Sequence, residues 1–259
     1  MPRGTLIRST HWPSALVLVR HGESTGNLAD NEARERKAER LEIELRDADV
    51  PLSDTGQQQA DAVGEHLAGL EGEQRPQLVV CSPYRRASET AERALRAAGG
   101  DDGQQELVID ERLRERDLGA FDRLTWRGIE AEYAKEAQRR THVGKFYYQP
   151  PSGESWCDVT LRVRSLLHDL RDGYEGRRVW LFTHQAVIMG FRYVLEDLTE
   201  AELLDIDKEQ RLPNCSVTTY RSSDGRMELE KFADTEAVDR SAAKATAEPS
   251  KTERVDRGG

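Results

Sequence analysis

The chain has 259 residues, of which 37% are hydrophobic and 33% charged, and its formal net charge is −10. That length accommodates one large α/β domain or two small ones, with polar segments lowering the average hydrophobicity. The acidic balance argues against general nucleic-acid binding, which needs a basic face, but leaves room for a local arginine pocket that takes an anion.

Three cysteines, Cys81, Cys157 and Cys215, are odd in number and lack metal-ligand spacing, so they read as reduced cytosolic thiols. No stretch approaches the roughly 18 apolar residues of a membrane span. The opening MPRGTLIRSTHWPS lacks the apolar centre of a signal peptide. The expectation is a cytoplasmic protein with neither a membrane nor a nucleic-acid partner.

Residues 1–14 read as a flexible arm. Leu16-Val17-Leu18-Val19 is an apolar run that stops at Arg20-His21-Gly22-Glu23. It predicts a buried strand over 15–19 with a cation, an imidazole and a glycine at its carboxyl end, where ligands bind in open α/β sheets. His21 can act there as a nucleophile, Arg20 can clamp an anion, and Gly22 allows close backbone approach. Residues 28–48 are charge-dense with a thin apolar stripe of Leu41, Ile43 and Leu45. They read as a solvated helix or, because they directly follow the His21 loop, as a lid beside a pocket.

Ser53 or Thr55 can cap a helix running to about Leu70, with Ala60, Val63, Leu67 and Leu70 on one face. Gln77–Cys81 predicts a second strand, and Pro83 opens a helix to about Ala98. A glycine-rich turn at 99–103 leads to a third strand, Glu106–Asp110, then a loop over 111–124 and a helix over 125–140. After the Pro150-Pro151 break come a helix over 155–171, a fourth strand at Arg178–Thr183 and helices near 185–196 and 199–210. Strands near 215–221 and 226–232 close the domain. From 234 onward large apolar residues almost vanish, which predicts a disordered tail over 234–259. Strands alternating with helices imply an α/β fold: three layers, α/β/α, around a mainly parallel sheet, in a single domain over 15–233.

Several motifs in order carry a family resemblance. Arg20-His21-Gly22 at a strand end is followed by Cys81-Ser82-Pro83-Tyr84-Arg85-Arg86-Ala87-Ser88-Glu89-Thr90-Ala91. Then come Leu113-Arg114-Glu115-Arg116-Asp117-Leu118-Gly119, Gly153-Glu154-Ser155, Phe182-Thr183-His184-Gln185 and Pro213-Asn214-Cys215-Ser216. Together they resemble the histidine phosphatase superfamily, with its phosphoglycerate-mutase-like fold, over about 15–232.

The resemblance implies His21 as nucleophile and Glu115 as proton donor and acceptor. Asp117 and Asp122 are weaker stand-ins for Glu115. Arg20, Asn27, Arg86 and His184 are the implied phosphate clamp, and Gln185 is a further candidate. It implies two in-line phosphoryl transfers through a phosphohistidine, with no metal and no cofactor, on a small phosphorylated metabolite. Glu115 would have to start protonated, which places the expected optimum at mildly acidic to neutral pH.

Gln185 and Arg123 stand where glycines are usual, and either side chain could narrow the pocket or reach the substrate. His11, His66, His142 and His168 match no motif. The short interval from Glu115 to His184 resembles the compact phosphatase branch. A phosphomonoesterase is therefore expected, with a phosphoglycerate mutase and an inactive binding scaffold as the other readings. Trp126, Trp156 and Phe146-Tyr147-Tyr148 could line a specificity pocket or pack beneath the loops. The oligomeric state is left open.

Overall fold

A computed structural model describes residues 11–99 and 107–247. Its elements are β1 (Ala15–Arg20), α1 (Thr25–Glu35), α2 (Asp54–Ala68), β2 (Leu78–Cys81), α3 (Arg85–Ala97) and β3 (Leu107–Ile109). There follow α4 (Trp126–Glu132), α5 (Ala134–Val143), α6 (Trp156–Gly173), β4 (Arg178–Thr183), α7 (Gln185–Leu195) and α8 (Glu200–Glu209). The last elements are β5 (Val217–Ser223), β6 (Arg226–Asp234) and α9 (Glu236–Asp239). The strands form one six-stranded sheet in the order β3-β2-β4-β1-β5-β6. Pairings among β1 to β4 are parallel, and β5 and β6 are antiparallel additions at one edge. The mainly parallel α/β architecture expected from the sequence is the one observed.

The apolar runs of β1, β2 and β4 are continuous because both faces of the sheet are covered. Leu16, Leu18, Val80, Val179 and Leu181 face one way, into a core completed by Val159, Val163 and Leu167 of α6 and Ile188 and Phe191 of α7. Val17, Val19, Val79, Cys81, Trp180 and Phe182 face the other way, onto Val63 and Leu67 of α2 and Ala91 and Ala94 of α3. Strand period and burial on both faces thus turn an unpatterned sequence into two cores.

The charged stretch is not a helix over 28–48. α1 stops at Glu35, where Lys37 takes a left-handed φ of 54° and the Ala38 amide bonds back to the Ala33 carbonyl at 2.7 Å. Beyond it the thin apolar stripe offers too little surface to hold a helix on the core, and 36–50 runs as an irregular strap. The strap is pinned to α4: Thr125 Oγ1 donates to the Ala38 carbonyl at 2.7 Å, and Arg40 makes a paired contact with Glu132. The helix expected over 125–140 is two helices, α4 and α5, because Tyr133 leaves helical geometry at φ −130°, ψ 43°.

Both terminal expectations need correction within the described residues. Trp12 lies in the expected flexible arm but is buried against the β1–β6 side, with its indole N–H donating to the Gly225 carbonyl at 3.2 Å. Residues 1–10 fall outside the described residues. In the expected tail, β6 continues to Asp234 and α9 seats Ala237 and Val238 in the α2-side core. Two small apolar side chains suffice there, since the groove needs plugs rather than bulk. Residues 248–259 fall outside the described residues, as does the turn region 100–106. Val238 is fully buried, so Val238→Ala should lower unfolding free energy by about 1–3 kcal/mol in denaturant titration. An unchanged midpoint would show that α9 does not belong to the cooperative core.

Candidate active site

Sheet register creates the site. β1 and β4 are parallel neighbours with Arg20 opposite Thr183, so the next residues, His21 and His184, emerge side by side. The His21 amide is fixed to the Thr183 carbonyl at 2.9 Å, and the two imidazole centroids lie 5.1 Å apart. β2 ends one strand further along, and the Ser82 hydroxyl meets His184 Nε2 at 2.8 Å. Gly22 allows this crowding: a Cβ there would lie 2.6 Å from the Gly56 carbonyl oxygen.

Both histidines are buried, and both are held well below the ordinary imidazole pKa. For His21 the cause is burial first, then the charges of Arg86 and Arg20, opposed by the bond to Gly22. For His184 burial again leads, followed by Arg86 and His21. His21 Nδ1 lies 2.7 Å from the Gly22 carbonyl oxygen, which can only accept, so Nδ1 carries the proton. In the neutral ring that leaves Nε2 with its lone pair. His184 Nδ1 is buried with no hydrogen-bond partner among the described residues.

The expected arginines are both here and almost wholly buried. Arg20 is 1% exposed and reaches the Leu212 carbonyl. Arg86 is 5% exposed and lies over the Tyr84 ring at 5.2 Å. Tyr84 also meets the His184 ring edge-on at 5.4 Å. The Arg86 guanidinium is taken by Asp47 of the strap, bonding its backbone carbonyl at 2.6 Å and its carboxylate at 2.9 and 3.2 Å. Of the segment 28–48, residues 28–35 are the helical end of α1, and the strap beyond it reaches the site at Asp47.

Asn27 also lies at this end of the sheet. Its Oδ1 accepts from the Ser24 amide at 3.0 Å in the α1 cap, and Asn214 donates to the same oxygen at 3.4 Å. Glu115 is half-buried, with Oε1 accepting from the Arg116 amide at 2.7 Å. Its loop is pinned by Thr183 Oγ1 to the Leu113 carbonyl, and by Arg162, which donates to the carbonyls of Arg112 and Glu115. Arg162 is itself held by Glu154 of the Gly-Glu-Ser element.

Two expected residues sit differently from the rest. Gln185 Nε2 donates to the buried carboxylate of Asp207 at 2.9 Å, so that amide is committed to the α7–α8 junction. Arg123 adopts φ 61°, a conformation that favours glycine, and its side chain donates to the Ile43 carbonyl of the strap. The stand-ins Asp117 and Asp122 lie on the same loop. Asp117 Oδ1 accepts from the Gly119 amide, and the Asp122 carboxyl is raised by burial and then by Asp47.

Sequence reasoning missed the supports behind the histidines. Asn214 donates to the His21 carbonyl at 3.2 Å, and its own amide bonds to the Thr246 carbonyl. Gln59 accepts from the Glu23 amide and donates to Lys244 and Thr246. The only sequence signal for this stitching was the Pro-Asn-Cys-Ser motif. No grouping of His, Cys, Asp and Glu among the described residues could hold a metal ion, and no helix among them is long and apolar enough to cross a membrane.

A sequence model described as the histidine phosphatase superfamily (branch 1) matches residues 16–235. Phosphoglycerate mutase-like protein 4 of Arabidopsis thaliana is 32% identical over 214 residues, 81% of this chain and 80% of that one. The glucosyl-3-phosphoglycerate phosphatase of Mycolicibacterium vanbaalenii is 35% identical over 155 residues, 60% of this chain and 59% of its own. A solved mycobacterial glucosyl-3-phosphoglycerate phosphatase in complex with inorganic phosphate superposes with a TM-score of 0.65 at 27% identity. It covers 86% of this chain and 98% of that one.

Proposed function

The chain belongs to branch 1 of the histidine phosphatase superfamily, and from that premise we propose that it hydrolyses small phosphomonoesters through a phosphohistidine at His21. The supporting observation is the His21 tautomer: Nδ1 is bound to the Gly22 carbonyl and the ring is buried between Arg20 and Arg86. Nε2 is thereby unprotonated at neutral pH and set to attack phosphorus. The P–O bond to the leaving alcohol breaks as the Nε2–P bond forms, and Glu115 gives that alcohol its proton. Water then attacks the phosphohistidine, Glu115 takes its proton, and inorganic phosphate leaves.

Arg20, Arg86 and His184 stabilise the three equatorial oxygens, and Asn27 lends its amide. His184 Nδ1, buried without a partner, gains one when a phosphate oxygen is present. Such preorganised donors make the transfer independent of a metal.

Substrate phosphate and the Asp47 carboxylate compete for the same guanidinium. The Asp47 side chain is 45% exposed, so solvent screens the pair and its worth stays within about 1 kcal/mol. Asp47→Ala should therefore tighten inhibition by inorganic phosphate about two- to five-fold. Weaker inhibition in the variant would instead make Asp47 an orienting partner of Arg86.

The test of the function is phosphate release from a panel of phosphomonoesters, para-nitrophenyl phosphate among them, in EDTA. Release of free phosphate is expected from several members. Isomerisation of 3-phosphoglycerate to 2-phosphoglycerate without release would make the chain a mutase. No turnover of any kind would favour a binding scaffold.

A further inference from the structure

The carbonyl that sets the His21 tautomer is itself held from behind. The peptide joining Gly22 to Glu23 offers two groups. Its C=O takes the His21 Nδ1 proton at 2.7 Å, and its N–H donates to Gln59 Oε1 at 2.8 Å. Gln59 is fully buried, and its partners dictate which way its amide points. The Glu23 N–H can only donate, so Oε1 faces it, and Nε2 donates to the Lys244 carbonyl and to Thr246 Oγ1, each at 2.8 Å. The preceding peptide is held in a similar way. Asn214, 2% exposed, donates Nδ2 to the His21 carbonyl at 3.2 Å, which leaves its Oδ1 to accept from Thr246 Oγ1 at 3.2 Å.

The Thr246 hydroxyl therefore joins the two supports: it accepts from Gln59 and donates to Asn214. The Thr246 main-chain carbonyl also accepts from the Asn214 amide at 2.9 Å, so one residue fixes Asn214 through backbone and side chain together. Thr246 lies beyond residues 16–235, the span that the family's sequence model matches. Its segment is kept in place by Ala237 and Val238 of α9, with Ala243 packed beside them. A neutral imidazole carries its proton on the nitrogen that makes the better hydrogen bond, and one ordinary bond decides that balance by about five-fold. The Gly22 carbonyl can do this only while its peptide plane stays put, and glycine has no side chain to brace it.

We propose that Thr246 is a positioning residue: its hydroxyl, through Gln59 and Asn214, holds the two peptides around Gly22 so that His21 keeps its proton on Nδ1 and presents Nε2 to phosphorus. The kinetic consequence rests on the phosphohistidine reading, whereas the tautomer itself is read in the free protein.

The test uses the full chain with nitrogen-15-labelled histidine, at neutral pH without substrate, and His21→Ala identifies the His21 signals. In the wild-type protein Nδ1 should show the shift of a protonated nitrogen and Nε2 that of an unprotonated one. Thr246→Val keeps the branched side chain and loses the hydroxyl, and should move both shifts toward the average of the two tautomers. Thr246→Ser keeps the hydroxyl and should retain the wild-type pattern. With para-nitrophenyl phosphate, Thr246→Val should lower kcat about two- to ten-fold while KM changes less, and Thr246→Ser should recover most of the loss.

Thermal midpoints should stay near that of the wild type, because α9 keeps its buried contacts. A large drop in Thr246→Val moves the comparison to Thr246→Ala, which removes the same hydroxyl without adding an apolar branch. Unchanged His21 nitrogen shifts in a folded variant without the hydroxyl overturn the proposal, even where kcat falls. So does a serine variant that behaves like the valine one. Absence of turnover by the wild-type protein overturns the phosphomonoesterase reading, and the nitrogen shifts then still decide whether Thr246 sets the tautomer.

Discussion

On the proposed mechanism, His21→Ala should remove turnover of every phosphomonoester, by on the order of 10⁴-fold or more, without unfolding the protein. The expected size follows from the proposed role: without Nε2 no phosphohistidine can form, and water is a far weaker nucleophile at phosphorus. The fold should tolerate the change. The backbone of His21 is fixed independently of its ring, by the amide bond to Thr183 and by the Asn214 donor on its carbonyl. The burial and arginine charges that keep the ring neutral also predict a pH signature. An imidazole held well below its ordinary value stays unprotonated as pH falls through the usual histidine range. The acid limb of kcat/KM for the wild-type protein should therefore lie below pH 6.5, the ordinary histidine value. An acid limb centred on 6.5 would show that the nucleophile is not shielded in this way.

Glu115→Gln is the second large effect, a loss of about 10²- to 10⁴-fold in kcat for esters of poor leaving alcohols. Gln cannot donate a proton to the departing oxygen or take one from water. One further readout separates this role from a structural one. Para-nitrophenolate leaves without help, so its ester should lose less in the first transfer than an alkyl phosphate does. The loop should hold its place because Arg162 and Thr183 fix it through the carbonyls of Arg112, Glu115 and Leu113, which the substitution leaves intact. Equal losses for the alkyl and para-nitrophenyl esters would assign the proton donor elsewhere, with Asp117 and Asp122 on the same loop next to be tested.

The central sheet was legible because its strands are short apolar runs ended by charged or imidazole residues. Parallel strands bring such ends together, so His21 and His184, far apart in sequence, were expected in one pocket and are 5.1 Å apart between ring centroids. Arg20 was legible as the charged end of β1, and Arg86 through its motif in the first turn of α3, which follows β2. The strap was not legible. Its composition favours a helix, yet its place is decided by contacts to α4 and Arg86 that come from distant sequence. The tail misled through composition. Disorder was expected from the scarcity of large apolar residues, while the core beside α2 takes Ala237 and Val238, with Ala243 packed against it.

The most direct measurement is rapid acid-free quenching during turnover in EDTA, followed by mass spectrometry of the peptide containing His21. A phosphoryl adduct on His21, acid-labile and base-stable, that appears with substrate and is absent from His21→Ala is the expected result. Steady turnover with no adduct on His21 at any time, or an adduct on another residue, would contradict the account.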